Sequence, residues 1–239
     1  MERGSYLRGV SCSAAWVPDF YSVSSVRIGV LGTGVVGQTI ATKLVELGHE
    51  VTMGARSAGS EKAVEWASGA GDGAAEGSFA DAAAHGELVF NCTAGTASLD
   101  ALRAAGAEEL RGKVLVDVAN PLDFSGGMPP TLSVCNDDSL GEQIQREFPD
   151  ARVVKTLNTV NAAVMVSGIA GSNIFVCGDD AAAKEEATRL LGDFGWPAES
   201  VIDLGGIDAA RGAEMYLPLW LRLMGATGTP AFNIGVVRG

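Results

Sequence analysis

Histidine is nearly missing from this chain, which has only His49 and His85. Its four cysteines, Cys12, Cys92, Cys135 and Cys177, are scattered and form no C-x-x-C pair. Neither a zinc site nor a disulfide framework is suggested, and no metal ligand is assigned. Cys92 and Cys177 lie inside apolar runs, which fits buried free thiols and a cytoplasmic protein. Basic residues are also few: 17 Lys and Arg against 29 Asp and Glu give a net charge of −12. Nucleic acid and anionic membrane surfaces are therefore poor partners. No apolar run reaches the length of a membrane span. Of the three tyrosines, Tyr6 and Tyr21 fall in the opening stretch and Tyr216 in an apolar helix. Neither His nor Tyr is well placed to donate a proton.

Glycine, by contrast, is abundant, with 32 in 239 residues. Gly32, Gly34 and Gly37 form G-x-G-x-x-G directly after the apolar run Val26-Arg27-Ile28-Gly29-Val30-Leu31. Val36, Ile40, Leu44 and Leu47 then recur at helical spacing, Gly48 stops the helix, and Glu50-Val51-Thr52-Met53 resumes a strand. A second near-match at Gly71-Asp72-Gly73-Ala74-Ala75-Glu76 has no strand before it. Strand, glycine turn and helix together read as a dinucleotide-binding βαβ unit. Gly32 permits the tight turn, Gly34 lets the backbone approach a pyrophosphate, and Gly37 lets helix and strand pack closely. The helix N-terminus offers free N–H groups to phosphate.

An NAD site places a carboxylate about 20 residues past the motif, on the ribose 2′-OH. Here the second strand ends Met53-Gly54-Ala55-Arg56-Ser57-Ala58-Gly59-Ser60, with no carboxylate. Arg56 and the hydroxyls of Ser57 and Ser60 suit a 2′-phosphate, so the expected cofactor is NADP(H). The bland alternative is a solvent-facing arginine.

The remaining pattern predicts helices over 61–68, 79–84, 99–110, 139–148, 161–166 and 181–191. It predicts strands near 74–77 and over 88–92, 113–118, 173–178 and 201–204, and a stretch over 152–159 that starts as a strand and ends polar. Thr93-Ala94-Gly95-Thr96 follows a buried strand and is expected to border the cofactor, against a plain strand–helix turn. Asn120, before Pro121, is placed to face the nicotinamide end, with simple turn-making as the alternative. Residues 123–138 read as a loop over a cleft. The apolar helix over 209–224, with a break at Pro218, calls for burial or a subunit interface. Residues 1–25 read as a loosely ordered tail, because Ser11, Ser13, Pro18 and Asp19 interrupt any signal-like core. The expected architecture is a Rossmann-type doubly wound, mostly parallel α/β sheet closed on one side by C-terminal helices. The dinucleotide domain would span 26–150, and 151–239 would extend the sheet and supply the cleft and dimer helices.

Several stretches are similar to the family of F420H2:NADP oxidoreductase, the NADPH-dependent reductase of a deazaflavin coenzyme. They are Ile28 through Gly37, Leu47-Gly48-His49-Glu50-Val51, Gly54-Ala55-Arg56-Ser57 and Val176-Cys177-Gly178-Asp179-Asp180. The resemblance implies NADP(H) bound at Thr33, Val35, Val36, Arg56 and Ser57. It also implies a homodimer and a deazaflavin stacked on the nicotinamide. Direct hydride transfer between the rings then needs no side-chain acid, base or nucleophile, so no catalytic residue is assigned. Lys155-Thr156-Leu157-Asn158-Thr159 and the tail containing Trp220 resemble a related branch, the NADPH domain of ferric reductases that pass electrons through a flavin. The sequence thus admits a deazaflavin oxidoreductase, a reductase of flavin or another small acceptor, or a non-enzymatic NADP-binding module. For a carbonyl reductase, Lys155 is the one plausible proton donor, while Asp203, Asp208 and Glu214 read as solvated or capping residues.

Overall fold

The structure, a computed structural model, describes Met1 and residues 25–239. The tail expected over 1–25 lies almost wholly outside the described residues. Strand β1 (Arg27–Leu31), helix α1 (Val35–Glu46) and strand β2 (Glu50–Ala55) form the first crossover. Helix α1 buries Gly37, Ile40, Ala41 and Leu44 on one face, each large apolar side chain contributing about 1.5–3 kcal/mol. Next come α2 (Glu61–Ala70), β3 (Ala74–Ser78), α3 (Phe79–His85) and β4 (Leu88–Asn91). A capping box between Ser78 and Asp81 opens α3.

Here the structure corrects the sequence pattern. The helix expected over 99–110 starts earlier and is broken. Helix α4 runs Gly95–Ala105 and α5 runs Ala107–Leu110, separated by Gly106 at φ 95°. Strand β5 (Val114–Asp117) follows. The expected loop over 123–138 contains a small antiparallel ribbon of β6 (Leu122–Asp123) and β7 (Thr131–Leu132). Helix α6 (Leu140–Glu147) is capped by the Ser139 hydroxyl, which accepts from Glu142 N. Then come β8 (Arg152–Thr156), α7 (Ala162–Met165), β9 (Ile174–Cys177), α8 (Ala181–Asp193), capped by Asp180, and β10 (Val201–Asp203). The helix expected over 209–224 is two helices, α9 (Ala210–Met215) and α10 (Leu217–Thr227). Pro218 opens the second, where its missing N–H leaves no hydrogen bond unmade.

The sheet order is β10-β9-β8-β5-β4-β1-β2-β3. Strands β3, β2, β1, β4, β5 and β8 are mutually parallel. Strand β9 then runs antiparallel to β8, and β10 parallel to β9, so the last two strands point the other way. One face is covered by α1, α2, α7 and α8, through residues such as Ile40, Trp66, Met165 and Leu191. The other is covered by α3 to α6 and α9, through Phe79, Leu102, Leu110, Ile144 and Ala210. The chain leaves β1 toward β2 on one side and meets β4 on the other. That reversal opens a crevice at the carboxyl ends of β1 and β4, where ligands of such sheets bind.

Candidate active site

Two cavities lie along that crevice and share Cys92, Thr93 and Ala94. The first, about 650 Å³, is lined by Gly32, Thr33, Gly34, Arg56, Ser57 and Ser60, among others. Gly32 sits at φ 118°, and a Cβ there would lie 2.7 Å from the Cys92 carbonyl oxygen. At Gly37 a Cβ would lie 2.0 Å from Gly32 O, so this glycine serves packing and lines neither cavity. A Cβ on Gly34 would meet nothing within 4 Å. Helix α1 has no side-chain cap at Gly34 and no acidic residue in its first turn. Its leading N–H groups and positive dipole end are therefore free to receive an anion. Arg56 and Ser57 are exposed at the end of β2, on the same cavity. Open glycine cradle, uncapped helix end and guanidinium together fit a phosphorylated dinucleotide.

The second cavity, about 430 Å³, takes in Val35, Val36, Gly95, Asn120, Asn158, Thr159 and Trp220. All sequence-assigned positions other than Gly37 thus border one cavity or both. Gly95 has a packing task besides: a Cβ there would sit 2.0 Å from Asn120 O. Asn120 lines the cavity, but its amide is committed. It donates to Asn158 O at 2.8 Å and accepts from Asn158 Nδ2 at 3.0 Å. Asn158 Nδ2 also reaches Ala213 O at 3.1 Å, tying α9 to the cavity wall. Cys92 is no nucleophile, because burial, with Asp117 nearby, pushes its thiol up well beyond the normal range.

Behind the cavities lies a buried polar network. Asn91 Nδ2 donates to Asp117 Oδ1 at 2.8 Å and to Ser98 Oγ at 3.1 Å, while Asn91 Oδ1 accepts from Thr93 Oγ1 at 2.7 Å. Lys155 Nζ donates to Asp117 Oδ2 at 2.8 Å and Ala119 O at 2.5 Å, and contacts Glu214 Oε1 at 2.8 Å. Leu140 N and Gly141 N, at the start of α6, donate to the Glu214 carboxylate. Burial alone would lower the lysine's pKa, but the two carboxylates outweigh it and hold the ammonium charged. All three N–H groups are used and the side chain lines neither cavity. Lys155 is therefore a structural ion rather than a proton donor facing the cleft. Glu214 is 1% exposed, so it is not the solvated residue the sequence allowed, but it does cap the start of α6. Polar residues inside apolar runs, Asn91 and Asp117 at strand ends and Glu214 in the last helices, are the signal that marks this network in the sequence.

A family model described as NADP oxidoreductase, coenzyme F420-dependent, matches residues 27–121. A crystal structure of a candidate F420-dependent NADP reductase from Arthrobacter sp. FB24 aligns with a TM-score of 0.84 and 53% identity. It covers 90% of this chain and 100% of that one. The chain belongs to the F420-dependent NADP oxidoreductase family. As a member, it is an NADP-dependent oxidoreductase. The F420-dependent NADP reductase of Methanocaldococcus jannaschii is 30% identical over 148 residues, covering 60% of this chain and 64% of its own. Metalloreductase STEAP3 of Rattus norvegicus is 26% identical over 200 residues, covering 81% of this chain. The chain spans 38% of the length of that metalloreductase. Among the described residues, no helix is long and apolar enough to cross a membrane.

Proposed function

We propose that this chain transfers a hydride between NADPH and a deazaflavin coenzyme of the F420 type, the two rings meeting in the second cavity. The observation that carries the reading is the lining of that cavity. Among the described residues, its side chains are aliphatic, aromatic, hydroxyl, amide, one thioether and one protonated thiol, with no Asp, Glu, His, Lys, Arg or Tyr. A carbonyl reductase needs a positioned proton donor for the developing alkoxide; transfer between two aligned rings does not. When bound, the pair supplies the chemistry: a C4–H bond of the dihydronicotinamide breaks with its electron pair, a C–H bond forms on the deazaflavin, and water supplies the balancing proton. The chain's own residues bind and align. Gly32, Thr33, Gly34 and the N–H groups of Val35 and Val36 receive the pyrophosphate, and Arg56 and Ser57 receive the 2′-phosphate. Thr93, Ala94, Gly95 and Asn120 border the nicotinamide. We place the enzyme in the cytoplasm as a homodimer.

A flavin is the second reading. The resemblance of residues 155–159 and the Trp220 region to the ferric reductase branch favours it, and the same uncharged lining suits its ring. Mixing the protein with NADPH and, separately, a deazaflavin, FMN or a small ketone, while following the NADPH absorbance band, tests both. Fast oxidation by the deazaflavin, slower or equal oxidation by FMN and none by the ketone is expected. Oxidation by the ketone alone overturns the reading.

A further inference from the structure

Among the described residues, two buried hydrogen-bonding groups on the walls of the second cavity have no partner: Thr159 Oγ1 and Trp220 Nε1. Thr159 is 1% exposed. It stands two residues after Leu157, whose φ of 61° puts a leucine in the left-handed region that glycine favours. Such backbone costs on the order of 1–3 kcal/mol and clusters at ligand sites. Trp220 comes from α10 and is held in place from behind. Its ring stacks on Phe232 at 5.4 Å between centroids and 20° between planes. The neighbouring Asn233 donates to Ser172 Oγ at 3.0 Å and Asn173 O at 2.7 Å, which fixes that segment. Of the other polar side chains described on these walls, Thr93, Asn120 and Asn158 have bonds within the protein, Asn161 accepts from Ala163 N, and Thr96 is exposed to solvent. A buried hydroxyl or N–H without a partner is unfavourable, and this chain keeps one of each on a single cavity.

We infer that Thr159 and Trp220 are the polar contacts of the hydride-accepting ring and select a ring whose rim carries carbonyl oxygens. The indole N–H only donates, so the group that satisfies it is an acceptor. The threonine hydroxyl donates or accepts and so matches a carbonyl oxygen or a ring N–H. A pyrimidinedione rim, two carbonyls flanking an N–H, offers that set on a planar, otherwise apolar ring. A cavity of about 430 Å³ is within the range that buries such a ligand. The inference rests on the functional reading above. The competing occupant is the carboxamide of the nicotinamide itself, which also offers a carbonyl.

The test uses an unreactive pair, with oxidised deazaflavin titrated into protein saturated with NADP+ and followed by deazaflavin fluorescence. NADPH is titrated separately. Thr159→Val and Trp220→Phe should each weaken deazaflavin binding about three- to tenfold. NADPH affinity and the thermal midpoint should stay unchanged, and Thr159→Ser, which keeps the hydroxyl, should bind nearly as wild type. Weakened NADPH binding with unchanged deazaflavin binding assigns the two groups to the carboxamide and overturns the inference. Folded variants that match wild type for both ligands overturn it as well, while wild-type ring reduction leaves the functional reading standing. Wild-type protein that binds and reduces neither deazaflavin nor FMN removes the functional reading and the inference together.

Discussion

Gly34 separates binding from folding within one residue. Its backbone sits at φ −77°, ψ 177°, which any L-residue adopts, and among the described residues a Cβ would meet no atom within 4 Å. Gly34→Ala should therefore keep the wild-type thermal midpoint while weakening NADPH, because the methyl occupies the space a pyrophosphate needs. Calorimetric titration beside a melting curve checks this, and full NADPH affinity in the folded variant would show that the loop does not hold the phosphates. Arg56 is the matching test of cofactor choice. Removing its charge-assisted contact should cost about 1.5–3 kcal/mol, or roughly 10- to 100-fold in NADPH affinity, and leave NADH binding almost unchanged. Parallel titrations of Arg56→Ala with both cofactors measure it, and equal wild-type affinity for the two would refute the assignment.

Among the elements, Lys155 acts less as one residue than as a joint. It connects β8 to the end of β5 through Asp117 and Ala119, and to α9 through Glu214, which in turn receives the N-terminus of α6. Lys155→Met leaves two buried carboxylates facing each other and should destabilise by about 3–5 kcal/mol. Replacing all three groups at once, with Asp117→Asn, Lys155→Met and Glu214→Gln, should lose less than the single change. Urea midpoints of the two variants compare them, and a triple variant weaker than the single one would contradict the joint. The sequence marks Asp117 and Glu214 only as polar residues inside apolar runs and could not join them to Lys155, since the three are far apart in the chain and only the fold gathers them. The β1–α1–β2 unit was legible because the tasks of Gly32, Gly34 and Gly37 are set within a few residues of each other. The start of α4 was not. Ala94 provides no cap, and the reason for Gly95 lies in the Asn120 carbonyl beyond the next strand. Of the site, the phosphate end could be read from spacing, whereas Thr159 and Trp220 reach the second cavity only through the folded β8 turn and α10.

For the whole molecule, α10 leaves an open account. Only Leu217 is buried on it, and Leu219 is 56% exposed beside the partly covered Trp220, Leu221, Leu223 and Met224. The apolar pattern called for burial or an interface, and the described residues bury little of it. A second copy of the chain is the proposed cover, so sedimentation at micromolar concentration should give about twice the chain mass, and Leu219→Glu should shift the population toward monomer. A wild-type monomer at that concentration would rule the cover out. The reversed strands β9 and β10 have a different consequence. Their carboxyl ends turn near Arg152, where Asp180 meets the arginine side chain, at the edge of the sheet opposite the crevice. The exposed turn at Asp203, Leu204 and Gly205 thus lies at the end of the sheet away from the crevice. A dye or a solid support attached there would hold the protein in one orientation, with its crevice turned outward to the solution.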